Sequence, residues 1–357
     1  MIEKNFIETF PELVEGKVNG EKMIKVGVVG ASGYTGLELV KMLVTHPGFQ
    51  LTYLATTQGD TTIEALHPSL VDVISLKVDK ADVNDVAENC ELVFLALPHK
   101  ASMGFAKDLL AKGVKVVDLS ADYRLDLDTY EEHYCEHEDK DHLDNSVYAL
   151  IEYYREDLKT AKLAAGPGCY PTATLLGILP FIPYIDTSAP LFVDAKSGVS
   201  GAGKKLSEST HFVNVNDNIF AYNPLKHRHA PEIAEKIEKI HGAKMNVNFV
   251  PHLIPATRGE LVSVYATLKE DIDPLEVLKK HYANDPFIRI RETPVNIKST
   301  AGTHFCDIFA AKNGNALFVS SAIDNLLRGA SSQALVAANL MCGFDEGVGI
   351  PTIAYMP

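Results

Sequence analysis

A cysteine set in GPGCYPTA, residues 166–173, is the first candidate for chemistry. A core cysteine needs no glycine–proline punctuation around it. A nucleophile at the start of a helix does, and LAAGPGCYPTATLLGILPFI reads as strand, turn, nucleophile, helix. Pro171 suits the first helical turn, where its missing N–H costs nothing. Cys169 would then lie at a helix N-terminus. There the dipole and free N–H groups favour thiolate over thiol and can hold an oxyanion beside the sulfur. Cys90, Cys306 and Cys342 fall in apolar strand or helix patterns and read as small core residues.

An acid/base partner is offered by KHRHAPEI, which carries His227, Arg228, His229 and Glu232. Pro231 marks a helix start, so His229 is expected near that helix's N-terminus, with Glu232 close enough to orient an imidazole. His229 is favoured over His227 as general acid to a thiohemiacetal oxygen. Arg124, in SADYRL after the strand-like VVDLS, and Arg258, in PATRGEL, are candidates to clamp a carboxylate or phosphate; a plain ion pair is the competing reading for each. The segment GVSGAGKK nearly matches a P-loop, but Lys205 stands where Ser or Thr would bind Mg²⁺. It reads instead as a glycine loop whose Ser197, Ser200 and N–H groups can receive a small anion. In YEEHYCEHEDKDH, the residues His133, Cys135, His137 and His142 lack regular zinc spacing, so the run reads as a solvated face and no metal is expected.

A second glycine turn, GASGYTG, places Gly30, Gly33 and Gly36 between an apolar strand and a helical pattern, with Ser32, Tyr34 and Thr35 among them. Glycine permits the tight turn and lets backbone N–H groups approach a pyrophosphate, while the helix N-terminus supplies partial positive charge. An NAD site usually carries an acid about 20 residues on, for the ribose 2′-OH. Here Thr56 and Thr57 occupy that place, which removes repulsion against a 2′-phosphate and favours NADP. A thiolate beside a nicotinamide suggests one chemistry. The sulfur takes an activated acyl group as a thioester, hydride reduces it, and an aldehyde leaves.

These residues need two scaffolds. IKVGVVG, FQLTYLAT, VISLKV, ELVFLALP and VKVVDLS alternate with helical segments, which predicts a parallel sheet covered on both faces, a Rossmann-type domain. Beyond the cysteine helix the chain turns strand-rich: LFVDAKSG, HFVNVN, NVNFVPHLI, ELVSVYATL, FIRIRE, and a hairpin through Asn313-Gly314. That predicts an α+β domain with a mostly antiparallel sheet. With 357 residues, 46% of them hydrophobic, the chain can bury two cores. A net charge of −14 argues against non-specific nucleic-acid binding. Five cysteines without a C-x-x-C, no signal-peptide pattern and no long apolar run point to a reduced, cytoplasmic protein. Residues 1–22 read as an appended arm.

VGVVGASGYTGLELV, DLSADYRL, GPGCYPTA, KSGVSGAGKK, HRHAPEI and DNLLRGASSQA together resemble the N-acetyl-gamma-glutamyl-phosphate reductase family. The resemblance runs from Met23 onward and rests most on the cysteine segment. It implies NADPH-dependent reduction of N-acetyl-glutamyl 5-phosphate to N-acetyl-glutamate 5-semialdehyde in arginine biosynthesis, with Cys169 as nucleophile and a HRHAPEI imidazole as acid/base. It also implies a dinucleotide-binding domain over residues 23–168 and 325–357, a catalytic and dimerisation domain over 169–324, and a homodimer or homotetramer. The rival readings are a sibling semialdehyde dehydrogenase, acting on aspartate semialdehyde or a carrier-linked aminoadipate semialdehyde, and a non-catalytic nicotinamide-binding regulator. An NTPase is the weakest rival.

Overall fold

The computed structural model describes residues 17–18 and 21–355, which divide into two compact units. β1 (Lys17–Val18) and β2 (Glu21–Lys22) form a short antiparallel ribbon. The rest of the arm expected over residues 1–22 lies outside the described residues.

The first unit ends at Gly166 and resumes over Ser331–Ile350. Its strands are β3 (Ile24–Val29), β4 (Phe49–Thr56), β5 (Thr61–Thr62), β6 (Lys77–Lys80), β7 (Leu92–Leu95), β8 (Lys115–Asp118), β9 (Val147–Tyr148) and β10 (Leu163–Ala165). They make one sheet in the order β5-β6-β4-β3-β7-β8-β10-β9, parallel except where β5 meets β6. Apolar runs without alternation belong to strands covered on both faces, and Val26, Val28, Leu92, Phe94 and Val116 are all fully buried. Each such side chain contributes roughly 1.5–3 kcal/mol. Strand order reverses at β3, whose neighbours are β4 and β7, so the ligand crevice of such a sheet opens where the Gly30 turn leaves it. The Ser332–Met341 helix is buried at every residue. Its small side chains allow that close approach, and the Lys115 Nζ closes its C-terminal end by donating to the Met341 carbonyl at 2.6 Å.

The second unit spans Pro167–Ala330 and the segment from Pro351 on. Its strands are β11 (Leu191–Gly198), β12 (Phe220–Ala221), β13 (Val247–Ile254), β14 (Glu260–Thr267), β15 (Ile288–Ile290), β16 (Cys306–Asn313) and β17 (Ala316–Ile323). Their order is β12-β13-β11-β14-β17-β16-β15; β11–β13 and β15–β16 are parallel and the other pairs antiparallel. The Cys169–Ile178 helix packs on β14 and β17, buried throughout apart from a partly exposed Cys169. The sheet's other face exposes Phe192 and Tyr265.

Two expectations change. HFVNVN is not a strand: Phe212–Val215 is a short helix. Its apolar residues do not share one buried face: Val215 is buried, but Phe212 is 75% and Val213 73% exposed. The later crossing between units falls at Ser331 rather than at 325, and the chain from Pro351 returns to the second unit. The cause is local: Asp324 accepts N–H bonds from Leu326 and Leu327, and the Pro351 carbonyl accepts the His304 N–H.

Candidate active site

In the first unit the Gly30 turn follows β3. Gly30 has φ +99°, and a side chain there would run into the Ala96 carbonyl. A Cβ on Gly36 would overlap the Gly30 carbonyl and lie 2.9 Å from the Ala31 Cα. Gly33 differs. It is the N-cap of the Tyr34–Leu43 helix, carries no side-chain cap, and a Cβ there would have one neighbour, at 3.6 Å. The turn is therefore closed on two sides and open at the helix N-terminus, which fits an anion. Ser32 and Thr35 are half-buried and Tyr34 is exposed. His67, which no sequence motif marks, donates from Nε2 to the Ala31 carbonyl at 2.7 Å and fixes the turn from below.

At the end of β4, the Thr56 hydroxyl accepts the Gly59 N–H at 3.0 Å, so it shapes the turn, while Thr57 is exposed. Lys80 pairs in register with Thr56 across β6 and is exposed. Sequence spacing hid this cation, because it lies 24 residues further along and only the sheet brings it to Thr56. Arg124 is buried, with its Nε donating to the Gly166 carbonyl at 2.6 Å and Nη2 to the Leu119 carbonyl at 2.9 Å. It clamps two strand ends.

The charged run after Tyr130 is exposed at Glu132, His133, Glu136, Glu138 and Lys140, but not at every position. His137 and Asp139 are buried: His137 Nε2 donates to the Asp122 carbonyl at 2.6 Å and Tyr123 donates to Asp139 at 2.7 Å. His142 meets Asp139 at 2.8 Å. Buried polar groups must find partners, and here they find one another.

In the second unit Cys169 is the first residue of its helix, after an N-cap Gly168 in extended geometry with no side-chain cap. The N–H groups of Cys169 and Tyr170 precede the first intrahelical bond, and Pro171 has no N–H to satisfy. Three packings hold the nucleophile. A Cβ on Gly168 would lie 2.6 Å from His229 Nε2, so that imidazole covers the residue next to Cys169. A Cβ on Gly329 would lie 2.6 Å from the Cys169 Cβ. Glu232, fully buried, accepts the Gly168 N–H at 3.0 Å. That bond orients the cysteine turn.

His229 opens the His229–His241 helix, and its N–H donates to His227 Nδ1 at 3.2 Å. Burial pushes His227 down to about 4, which leaves it neutral near pH 7 and unsuited to donate a proton. Tyr170 packs edge-on to His229 with ring centroids 5.7 Å apart.

The other expected ligands are engaged. The Ser197 hydroxyl donates to the Gly198 carbonyl at 3.0 Å, and Ser200 accepts from the Asn325 amide at 3.0 Å. Arg258 meets the buried Asp324 at 3.2 Å. Glu260, read from sequence as an ordinary strand residue, is fully buried near Cys169. Burial pushes Cys90 up to about 12 and Cys342 up to about 11, in keeping with inert core thiols.

Two family models match the chain: a semialdehyde dehydrogenase NAD binding domain over residues 25–161 and a semialdehyde dehydrogenase dimerisation domain over residues 169–325. The N-acetyl-gamma-glutamyl-phosphate reductase of Sulfurovum sp. (strain NBC37-1) is 89% identical over 335 residues, 94% of this chain and 100% of that one. The reductase of the same name from Wolinella succinogenes is 61% identical, covering 94% of this chain and 100% of its own. Among solved structures, aspartate semialdehyde dehydrogenase II from Vibrio cholerae, complexed with ASA, aligns with a TM-score of 0.70 at 16% identity, over 90% of this chain and 99% of that one. An aspartate semialdehyde dehydrogenase with NADP from Candida albicans aligns at 0.66 and 15% identity, over 90% and 99%. At these identities the structural matches speak to the fold.

Proposed function

The chain belongs to the N-acetyl-gamma-glutamyl-phosphate reductase family, and from that premise we propose how its residues divide the reaction. The reaction is the NADPH-dependent reduction of N-acetyl-glutamyl 5-phosphate to N-acetyl-glutamate 5-semialdehyde, with release of phosphate. The observation that carries the division of roles is Cys169 at an uncapped helix start, with the His229 imidazole against Gly168.

The open N-terminus of the Tyr34–Leu43 helix fits a pyrophosphate, held by backbone N–H groups of the turn from Gly30 through Ser32, Gly33, Tyr34 and Thr35 to Gly36. Thr57 and Lys80 take the ribose and its 2′-phosphate, with Lys80 supplying the cation, while Thr56 holds the turn beneath them. When bound, NADPH supplies the hydride that reduces the acyl carbon.

Cys169 Sγ, as the thiolate that a helix start favours, attacks the acyl carbon while phosphate leaves with the electron pair of the C–O bond, and a thioester remains on the protein. The Cys169 and Tyr170 N–H groups face the charge that develops on the acyl oxygen. His229 gives that oxygen a proton as the tetrahedral centre forms and takes it back as the aldehyde departs. His227 sets the His229 backbone, and Glu232 holds the Gly168 turn. Ser197 and Ser200 shape a glycine loop for the substrate's anionic end. Arg258, whose backbone packs on Gly198 and whose side chain is drawn to Asp324, serves that same end, while Arg124 holds two strand ends of the first unit.

The second unit carries a dimerisation domain. Its open sheet face, with Phe192, Tyr265 and Phe318, suits self-association into a homodimer or homotetramer. Among the described residues no helix is long and apolar enough to cross a membrane. A cytoplasmic location follows from the thiol usage.

The test is phosphate-dependent reduction of NADP by the purified protein, with N-acetyl-glutamate semialdehyde, aspartate semialdehyde and NAD run in parallel. Activity with the acetylated aldehyde and NADP is expected. Turnover of aspartate semialdehyde instead would overturn the reading.

A further inference from the structure

Three strand ends of the second unit come together where the glycine loop leaves the sheet, and Asn325 joins them. β11, β14 and β17 are neighbours, with Ser197 opposite Glu260 and Glu260 opposite Ile323. The end of β11, the start of β14 and the end of β17 therefore lie at one edge. Asn325 stands two residues beyond β17 and is buried. Its Oδ1 accepts the Gly259 N–H at 2.8 Å, just ahead of β14. Its Nδ2 donates to the Ser200 hydroxyl oxygen at 3.0 Å, just beyond β11. The glycine loop is packed onto this amide: a Cβ on Gly201 would lie 2.7 Å from the Ser197 hydroxyl and 3.6 Å from Asn325 Nδ2.

The direction of both bonds follows from the donors. A backbone N–H can only donate, so the amide oxygen must face Gly259 and the amide nitrogen must face Ser200. An amide nitrogen cannot accept, so Ser200 receives this bond and keeps its own O–H for another partner. Among the described residues no acceptor meets that hydrogen. Ser200 is half-buried, within reach of a ligand. Its N–H donates to the Thr257 carbonyl at 3.2 Å, which ties the loop to the residue before Arg258. The Arg258 Nε in turn meets Asp324 at 3.2 Å, one residue from the amide. A directed hydroxyl on a loop tied to a guanidinium is a donor set, and donor sets take anionic oxygens.

We propose that Asn325 is a positioning residue: by donating to Ser200, it fixes the serine hydroxyl as a hydrogen-bond donor to an anionic oxygen of the substrates, on phosphate or on carboxylate. This rests on the reading of the glycine loop as the seat of the substrate's anionic end. A serine without such a donor can spend its O–H on the protein, as Ser197 does on the Gly198 carbonyl. A carboxylate in place of the amide would still accept the Gly259 N–H. It would also accept the Ser200 O–H, and the hydroxyl would be lost to the ligand. Asn and Asp share a shape, so the exchange keeps the bridge between the loops and reverses only its polarity.

The test is the phosphate-dependent reduction of NADP, in which phosphate and N-acetyl-glutamate semialdehyde are separate reactants with separate KM values. Asn325→Asp is expected to raise one of these KM values about 10- to 10²-fold, the cost of a lost bond to a charged group, with a smaller change in kcat and with NADPH affinity and Tm near wild type. The KM that rises tells phosphate from carboxylate. Ser200→Ala is expected to raise the same KM by a similar factor. In Asn325→Asp the hydroxyl is already spent, so adding Ser200→Ala is expected to cost about twofold or less beyond it. Asn325→Ala, which removes the bridge without adding a charge, is expected to raise that KM less than Asn325→Asp does. The opposite order would overturn the proposal, since it marks a bridge that merely holds the loop. Wild-type KM values in Asn325→Asp would overturn it, as would a rise in both KM values with a lowered Tm. Full additivity of Asn325→Asp and Ser200→Ala would overturn it as well, because the new charge alone then accounts for the effect; the reading of the loop would still stand. Ser200→Ala with both KM values unchanged overturns that reading itself.

Discussion

The molecule uses one backbone device twice. After β3 and after β10 a glycine turn leads into a helix whose N-cap is glycine without a side-chain cap. After β3 the open position is Gly33, where a Cβ would meet one atom at 3.6 Å, and the helix starts with Tyr34 and Thr35 rather than a thiol. After β10 the corresponding space is filled. His229 lies over Gly168, Gly329 lies against Cys169, and Glu232 takes the Gly168 N–H. The first turn thus suits an anion that arrives and leaves intact. The second suits a group whose bonds change, because its nucleophile is held from three sides. The same helix dipole serves both, and the packing around the N-cap decides between binding and catalysis.

Breaking the two turns separately tests that contrast. Cys169→Ser removes the nucleophile and should abolish turnover, while NADPH affinity, read by fluorescence titration, stays near wild type. A parallel loss of NADPH binding would mean that the two turns do not divide the work. His229→Asn comes next, with a loss of ~10²–10⁴ in kcat expected of a missing general acid. His227→Asn should cost less, since His227 is already neutral near pH 7. A larger loss there would reverse the assignment. The smallest effects sharpen the comparison most. Gly329→Ala forces a methyl to within 2.6 Å of the Cys169 Cβ and should lower kcat about 10²-fold, leaving the KM for NADPH unchanged. Gly36→Ala crowds the Gly30 carbonyl and should do the reverse, raising that KM with less effect on thiol acylation. If both alanines move the same kinetic constant, the division is wrong.

Glu260 also predicts a stability slope. Its folded ionisation lies near 8 and its unfolded value near ~4.3, so the folded state holds the extra proton between them. The stability tied to that proton is complete below the unfolded value and is lost as pH rises through about 8. Glu260→Met should flatten the slope of Tm against pH over that window.

Much was legible in the sequence because it is written locally. The apolar runs of β3, β7 and β8, the glycine spacing, Pro171 and Pro231 in first helical turns, and Asn313-Gly314 at a hairpin all act over a few residues. Where local patterns misled, contact far along the chain was the reason. HFVNVN alternates, yet only Val215 of its apolar residues is buried. His137 looked solvated, yet it bonds to Asp122 across a fold of the chain. Lys80 and His67 carry no motif and reach their sites through strand register and a long-range bond.

By itself, the sequence determined which residue types stand at each helix start and turn, and therefore where a thiol, an imidazole and a phosphate cradle are available, since propensity and capping depend on near neighbours. Tertiary structure alone decided what those groups meet: His229 over Gly168, Gly329 against Cys169, and Glu260 buried in the second sheet. Burial and proton affinity depend on what packs around a group, and that packing comes from segments 60 to 160 residues away along the chain, as with Cys169 to Gly329 or to His229.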